Sequence, residues 1–344
     1  MTRRLFWRQL ILGIFICYSL SILVLFILRT LIVEWHPWLT LLSSFMPMMF
    51  VPVPFVVLIA WQFRSRLVFF LSLGVIGVFV ILYGSLFLPH SVASASGTNS
   101  LTVVTFNLGP GQADPNQIVS EIASTNADII AVQEMTPETA SLLSERLRDS
   151  HPYKILDVKN HSTGLLSRYP IVSSEWFQPA GEGRSALYLT LNINDANLHV
   201  FAPHPFPSGT IWLDDYPIPV GIDDDAQQRQ LADLAQRARE IGNRVIVMGD
   251  LNVSDQTHAY PELANVLGDA YREAGWGFGF TFPNGLRLAN VFPSRGRLAS
   301  LPLPGPFLRL DYVFHSYDLI AEKAEVVCRG GSDHCYLMAT LGLK

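Results

Sequence analysis

Two stretches of this 344-residue chain, Leu10 to Leu28 and Leu67 to Leu88, contain no charged side chain, and they constrain its fold more than any other feature. Each is long enough, at about 1.5 Å per helical residue, to cross a hydrocarbon layer about 30 Å thick. Between them, Pro37 to Phe63 is also uncharged but carries Pro47, Pro52 and Pro54. Proline is tolerated in a spanning helix when neighbours satisfy the freed carbonyls, so a kinked span is expected there. The reading is a membrane segment over residues 1–89 with three helices, roughly 9–30, 38–62 and 67–88; a helical hairpin plus an interfacial piece is the alternative. A cleaved leader would account for the first run but not for the two that follow.

Charge divides the chain at the same place. Residues 1–89 hold six arginines, no lysine and one acid, Glu34. Of the chain's 24 basic and 29 acidic residues, 18 and 28 therefore lie beyond residue 89, a net charge of about −10 with histidine neutral. Arg3, Arg4 and Arg8 precede the first span, and Arg64 and Arg66 lie between the second and third. The tendency of basic loops to stay inside places both groups in the cytoplasm, with Arg29 a minor dissent. The expectation is an integral membrane protein with a cytoplasmic N-terminus and everything after Pro89 extracytoplasmic. Residues 90–100, rich in Ser, Ala and Gly, read as a linker. The spans carry no acid, lysine or histidine, so nothing suggests an ion pathway.

From residue 101 to 344 short apolar strands alternate with amphipathic helices. Strands are expected at 101–106, 129–132, 153–158, 164–167, 187–193, 198–202, 245–248, 310–314, 324–328 and 336–341. Helices are expected to start at Asp114-Pro115 and Thr136-Pro137, where a capping side chain precedes proline, and to cover 225–241. So many strands with so few helices point to stacked sheets rather than one parallel sheet. The Pro- and Gly-rich stretch 282–308 reads as an irregular connection of the kind that borders sites. Cys328 and Cys335 could pair in an oxidising compartment, with Gly330-Gly331 turning the chain between them, or be two buried thiols; the sequence leaves both open.

Polar residues recur at the ends of apolar strands: Asn107, Gln133-Glu134, His204 and Asp250 with Asn252 follow one, Asp311 opens one, and Asp333-His334 lie in a glycine-rich turn before one. Sheet edges that collect carboxylates, carboxamides and imidazoles in one crevice are how a rigid scaffold presents a metal and its reaction partners. Each alone has a bland reading. Asn107-Leu-Gly could be a turn, Glu134 could favour a helix N-terminus, and His204 could be a loop histidine between prolines. Gly249-Asp-Leu-Asn is sharper, because side chains two residues apart on a strand end point the same way.

Taken in order, the stretches Thr105-Phe-Asn107, Val132-Gln-Glu134, Gly164 to Pro170, His204, Gly249 to Asn252, Arg309 to Phe314 and Ser332-Asp-His334 resemble the endonuclease/exonuclease/phosphatase superfamily of DNase I-like enzymes. The resemblance implies an α/β (α+β) fold: a four-layer sandwich of two stacked β-sheets flanked by helices. It implies Asn107, Glu134 and Asp333 as metal-side residues, with hard oxygen donors suiting Mg²⁺ or Mn²⁺. It implies His204, Asp250, Asn252, Asp311 and His334 as catalytic residues. Asp250 would handle the attacking water or a second metal, Asn252 and His204 would hold the phosphate, and Asp311 would orient His334 as acid or base; which of Asp250 and His334 is the base stays open. Arg184 could touch substrate, with a structural ion pair as the rival role. After His204 the chain departs from the pattern with Pro-Phe-Pro-Ser-Gly and an expected loop to Asp225 carrying Trp212, Asp214, Asp215, Tyr216, Asp223 and Asp224, an acidic, aromatic lid or a solvated surface.

The expected activity is metal-dependent hydrolysis of a phosphate ester on a lipid, glycan or small molecule. A tethered nuclease is the alternative, disfavoured because a domain near −10 lacks the basic excess that nucleic-acid affinity needs. A non-catalytic binding module would have no use for the whole residue set.

Overall fold

The computed structural model describes residues 3–32, 36–89, 100–109, 111, 113–213, 216–291 and 299–343. Apart from Ser100 the expected linker lies outside the described residues, as do Glu34, Asp214 and Asp215. The N-terminal segment is helical: α1 (Arg3–Leu31), α2 (Pro37–Ser44), α3 (Met46–Met49), α4 (Val53–Gln62) and α5 (Arg66–Tyr83), the last extended by a 3₁₀ turn to Phe87. Two of these helices, Arg3–Leu31 and Arg66–Phe87, are long and apolar enough to cross a membrane. The middle run, Pro37–Ser44 with Met46–Gln62, qualifies only as a pair bent by 58°. The bend falls at Phe45, two residues ahead of Pro47, which has no N–H to donate to the Ser43 carbonyl and so cannot continue the ladder of α2.

The rest of the chain forms β1 (Ser100–Asn107), α6 (Pro115–Ser124), β2 (Ile129–Gln133), α7 (Pro137–Arg146), β3 (Tyr153–Asp157), β4 (Thr163–Ser167), β5 (Ile171–Phe177), β6 (Ala186–Ile193), β7 (Ala196–Ala202), β8 (Gly209–Leu213) and β9 (Tyr216–Asp223). It continues with α8 (Asp225–Ile241), β10 (Val245–Asp250), α9 (Tyr260–Ala264), β11 (Gly268–Asp269), α10 (Ala270–Ala274), α11 (Leu288–Val291), β12 (Asp311–His315), β13 (Leu319–Val327) and β14 (Tyr336–Leu343). One six-stranded sheet has the order β13-β14-β1-β2-β4-β3 and the other β11-β12-β10-β7-β6-β5. Leu101, Val103, Ile129 and Leu337 of the first meet Leu189, Val200, Ile246 and Val313 of the second in the central core. The outer face of the first sheet packs on Ile118, Val119, Ile122 and Leu143 of α6 and α7. The outer face of the second packs on Leu231, Leu234, Ala235 and Leu263 of α8 and α9. This is the expected four-layer sandwich. The helix starts were legible because their caps form: the Asp114 carboxylate accepts from Asn116 N at 2.9 Å, and Thr136 Oγ1 from Thr139 N at 3.2 Å.

Three features differ from the sequence reading or complete it. Strand β5 was not foreseen; it is an edge strand whose residues 172–175 are exposed, so it shows no buried periodicity. The expected loop from His204 to Asp225 is instead a free-standing hairpin, β8–β9, packed against α2. Asp224, expected on an acidic lid or a solvated surface, is buried. Cys328 and Cys335 form a disulfide immediately beyond the last register pair of β13 and β14, Val327 opposite Tyr336.

The helices dock directly on the sandwich. Tyr83 Oη donates to Gln256 Oε1 at 2.9 Å, Gly277 N donates to Leu86 O at 2.7 Å, and the Phe278 ring lies 5.3 Å from that of Tyr83 and 5.4 Å from that of Phe87.

Candidate active site

The expected residues meet at one end of the sandwich. Parallel pairing of β1 with β2 sets Asn107 opposite Gln133, so Glu134 emerges beside Asn107. In the other sheet the antiparallel pairing of β10 with β12 sets Asp250 opposite Asp311. Gly249 lets β10 pass against the Pro203 carbonyl, where a Cβ would overlap it, and this brings Asp250 up to His204.

A chain of short contacts crosses from one sheet to the other. Asn107 Nδ2 donates to Asp250 Oδ2 at 2.8 Å, and Asp250 Oδ1 accepts from Asn252 N at 2.9 Å. His334 places Nε2 3.8 Å from Asp250 Oδ2 and Nδ1 2.9 Å from Asp311 Oδ2, the expected His–Asp pair. Burial alone would lower the His334 pKa, but Asp311 and then Asp250 outweigh it and hold the imidazole protonated, up to about 10. Burial pushes Asp250 up to about 7; His334 opposes that shift and Asp311 adds to it.

On the opposite wall, His204 Nε2 stands 3.6 Å from Glu134 Oε1 and 3.8 Å from Asp250 Oδ2. Its pKa falls to about 3 through burial, Arg184 and His334, so the ring is neutral. Arg184 explains the geometry: Nη1 lies 3.1 Å from Nδ1 and 2.9 Å from Nε2, and a guanidinium can only donate, which requires an unprotonated ring nitrogen. Arg184 therefore faces His204 rather than a carboxylate, with its guanidinium carbon 4.6 Å from the centre of the Phe206 ring. Glu134, Arg184, His204, Phe206 and His161 line a cleft of about 870 Å³. Asn252 donates one of its two Nδ2 hydrogens to Pro205 O at 3.0 Å.

Among the described residues, the group of His, Cys, Asp and Glu side chains that could close on one ion is Asp250, Asp311 and His334, with ligand atoms within 4.8 Å of one another. Glu134 and Asp333 stand outside that group. The donor set nevertheless fits a hard divalent cation. Asp311 Oδ1 is buried without a hydrogen-bond partner, and its carboxylate raises the pKa of the neighbouring Asp250, a repulsion that one cation would relieve. Asp333 lies on the β13–β14 loop, with Oδ1 3.4 Å from Ser332 Oγ.

The segment 282–308, expected to border the site, does so together with Thr281 just ahead of it, through residues the sequence did not single out. Thr281 Oγ1 accepts from the Leu310 and Asp311 amides at 3.1 and 3.3 Å, the Phe282 ring lies 4.8 Å from that of His334, and Asn284 Nδ2 donates to Ser332 O at 2.9 Å. Residues 292–298 of that segment lie outside the described residues.

With this geometry in place, comparison with known proteins decides the assignment. The profile of the Endonuclease/Exonuclease/phosphatase family matches residues 104–334. The chain belongs to that family. It is a hydrolase of phosphate ester bonds. Among solved structures, an endonuclease/exonuclease/phosphatase family protein from Bacteroides thetaiotaomicron superposes with a TM-score of 0.51 at 18% identity, covering 72% of this chain and 98% of its own. TDP2 of D. rerio, complexed with a single-strand DNA product, gives 0.51 at 16%, covering 71% and 99%. A mannosyl-6-phosphatase of Bacteroides thetaiotaomicron gives 0.50 at 17%, covering 71% and 100%. At these identities the likeness is one of fold. No curated protein matches the chain.

Proposed function

We propose that this family member is a membrane-anchored phosphoesterase that depends on Mg²⁺ or Mn²⁺ and stands outside the cytoplasm. The observation that carries the reading is the line Asn107–Asp250–His334–Asp311 facing the His204–Arg184 wall across one crevice. Asn107 and Glu134, with Asp250 beside them, would hold the cation, which when bound polarises a phosphoryl oxygen. His204 and Arg184 hold the non-bridging oxygens: the neutral imidazole offers one N–H and the guanidinium offers fixed positive charge. Asp250, poised near neutrality by burial, orients the attacking water and accepts its proton. His334, kept charged by Asp311, protonates the leaving oxygen from Nε2.

The two long apolar helices, the arginines at one end of them and the Cys328–Cys335 disulfide support an anchored, extracytoplasmic domain. A net charge near −10 and a cleft wall with Arg184 as its guanidinium favour a lipid, glycan or small-molecule ester over a nucleic acid.

The test is hydrolysis of bis-p-nitrophenyl phosphate by the full chain in detergent, with Mg²⁺, Mn²⁺ or EDTA. Turnover that needs the metal and disappears in Glu134→Ala and His334→Ala is expected. Turnover that survives EDTA or either substitution refutes the reading. A preference for duplex DNA over every headgroup ester would keep the chemistry and overturn the substrate class.

A further inference from the structure

The chain between the catalytic wall and the next helix carries exposed apolar side chains at intervals from the cleft to the N-terminal helices, among the acidic residues noted above. At its start Phe206, 53% exposed, lies under the Arg184 guanidinium. Ser208 Oγ donates to Asn252 O at 3.0 Å and ties this stretch to the site. The next residue opens the hairpin β8–β9, which belongs to neither large sheet. Ile211, Leu213 and Val220 on it are exposed at 42%, 45% and 38%. The hairpin packs on α2, with Gly221 so near Pro37 that a Cβ would come 2.7 Å from the Pro37 Cβ. The helix α2 in turn exposes Trp38 and Leu42, and it leads into the bent apolar pair.

A two-stranded ladder is marginal in water, and exposed aliphatic side chains along it make it more so. A bilayer surface removes that difficulty, and the element beneath the hairpin is itself part of an apolar helical segment. A partner strand added at the β9 edge is a rival occupant, disfavoured there because Pro217 and Pro219 lack the N–H groups a strand would pair with.

We infer that β8–β9 and α2 lie together in the interfacial layer of the bilayer and that the substrate is a phospholipid. Its phosphate reaches Arg184 and His204 while its chains stay in the leaflet, passing Phe206. This deepens the phosphoesterase reading and rests on it. The charge of about −10 on the domain repels an anionic surface, so the lipid is zwitterionic.

The test uses the full chain reconstituted in phosphatidylcholine vesicles with Mg²⁺. It reads release of the phosphate-bearing headgroup beside hydrolysis of soluble bis-p-nitrophenyl phosphate in the same preparation. Two variants are compared: Ile211→Asp with Leu213→Asp, which makes the hairpin polar, and Gly221→Leu, which wedges it off α2 while leaving it apolar. The expected result is at least a tenfold loss of headgroup release in both, with soluble-ester turnover within twofold of the parent. Equal losses on both substrates, or undiminished headgroup release in both variants, overturn the inference. Soluble turnover without headgroup release in the parent chain overturns the lipid assignment alone. Failure of the parent chain on both substrates overturns the phosphoesterase reading beneath it.

Discussion

Glu134 and Asn252 both sit in left-handed backbone, at φ 55° and 53°, a conformation non-glycine residues adopt at a cost of about 1–3 kcal/mol. Strain at two strand ends on one crevice, with buried Asp250 and Asp311 beside them, marks a place shaped for chemistry rather than stability. Asp311→Asn is predicted to keep the fold, since Oδ1 already lacks a partner, and to lower kcat by about 10²–10⁴ by removing the group that holds His334 charged. Stopped assays and a melting curve on one preparation separate the two effects. His151 supplies a pH test away from the site. It is buried, with Nε2 3.0 Å from Ala127 O, and burial lowers its pKa below the usual 6.5. The unfolded chain therefore takes up the proton first. The stability this ring contributes is present in full above pH 6.5 and is lost as pH falls toward its lower folded value, with a slope of at most about 1.4 kcal/mol per pH unit. Melting temperatures from pH 7.5 to 5 should show that decline, and His151→Gln should make it shallower, leaving the share that His204 and His199, also lowered by burial, contribute in the same direction. The site residues were legible because they flank runs of buried strand residues, Asn107, Glu134, His204 and Asp250 at the far end and Asp311 and His334 at the start; a motif such as Gly249-Asp-Leu-Asn announces a strand end by itself. Arg184 was legible as a candidate substrate contact, but its pairing with His204 was not, because the histidine stands twenty residues away and no spacing rule links them. Thr281 and Phe282 were missed because their segment has no periodicity to read.

Among the elements, the β13–β14 hairpin carries Ser332, Asp333 and His334 in the loop that the Cys328–Cys335 disulfide closes. Cys328 is exposed while Cys335 is buried. A dithiol reductant, or Cys328→Ser, should lower stability by about 2 kcal/mol for so small a closed loop. It should lower kcat at least tenfold, because His334 follows the loop, while KM changes little. An unchanged kcat in a variant with the lower melting temperature would show that the bond only stabilises. Central strands were readable from their apolar runs; edge pieces were not. Strand β5 is exposed over residues 172–175, and β9 contains Pro217 and Pro219, so both lack the signals by which strands are recognised. The bent helix pair was anticipated from Pro47, Pro52 and Pro54, although proline content gives no angle.

For the whole molecule, the charge split located the boundary between helical segment and sandwich, but nothing in it revealed how closely the two fit. The rings of Phe79, Tyr83 and Phe87 surround Phe278, and Gln256 receives the Tyr83 hydroxyl. A fragment of residues 97–344 uncovers that cluster and removes the Tyr83 hydroxyl from Gln256. It is predicted to melt several degrees below the same domain in the full chain and to aggregate at concentrations the full chain in detergent tolerates. Calorimetry of the two, with Tyr83→Phe as an intermediate, checks this. The backbone bond from Gly277 to Leu86 has a further consequence. A catalytic domain on a loose leash would sweep a volume and meet esters at any distance from its anchor. With the proposed membrane anchorage, one bolted to its helices would work at a single height, like a plane set to one depth of cut. Its selectivity would then be partly a ruler: bonds presented at that level are cut, and chemically identical bonds on taller headgroups pass out of reach.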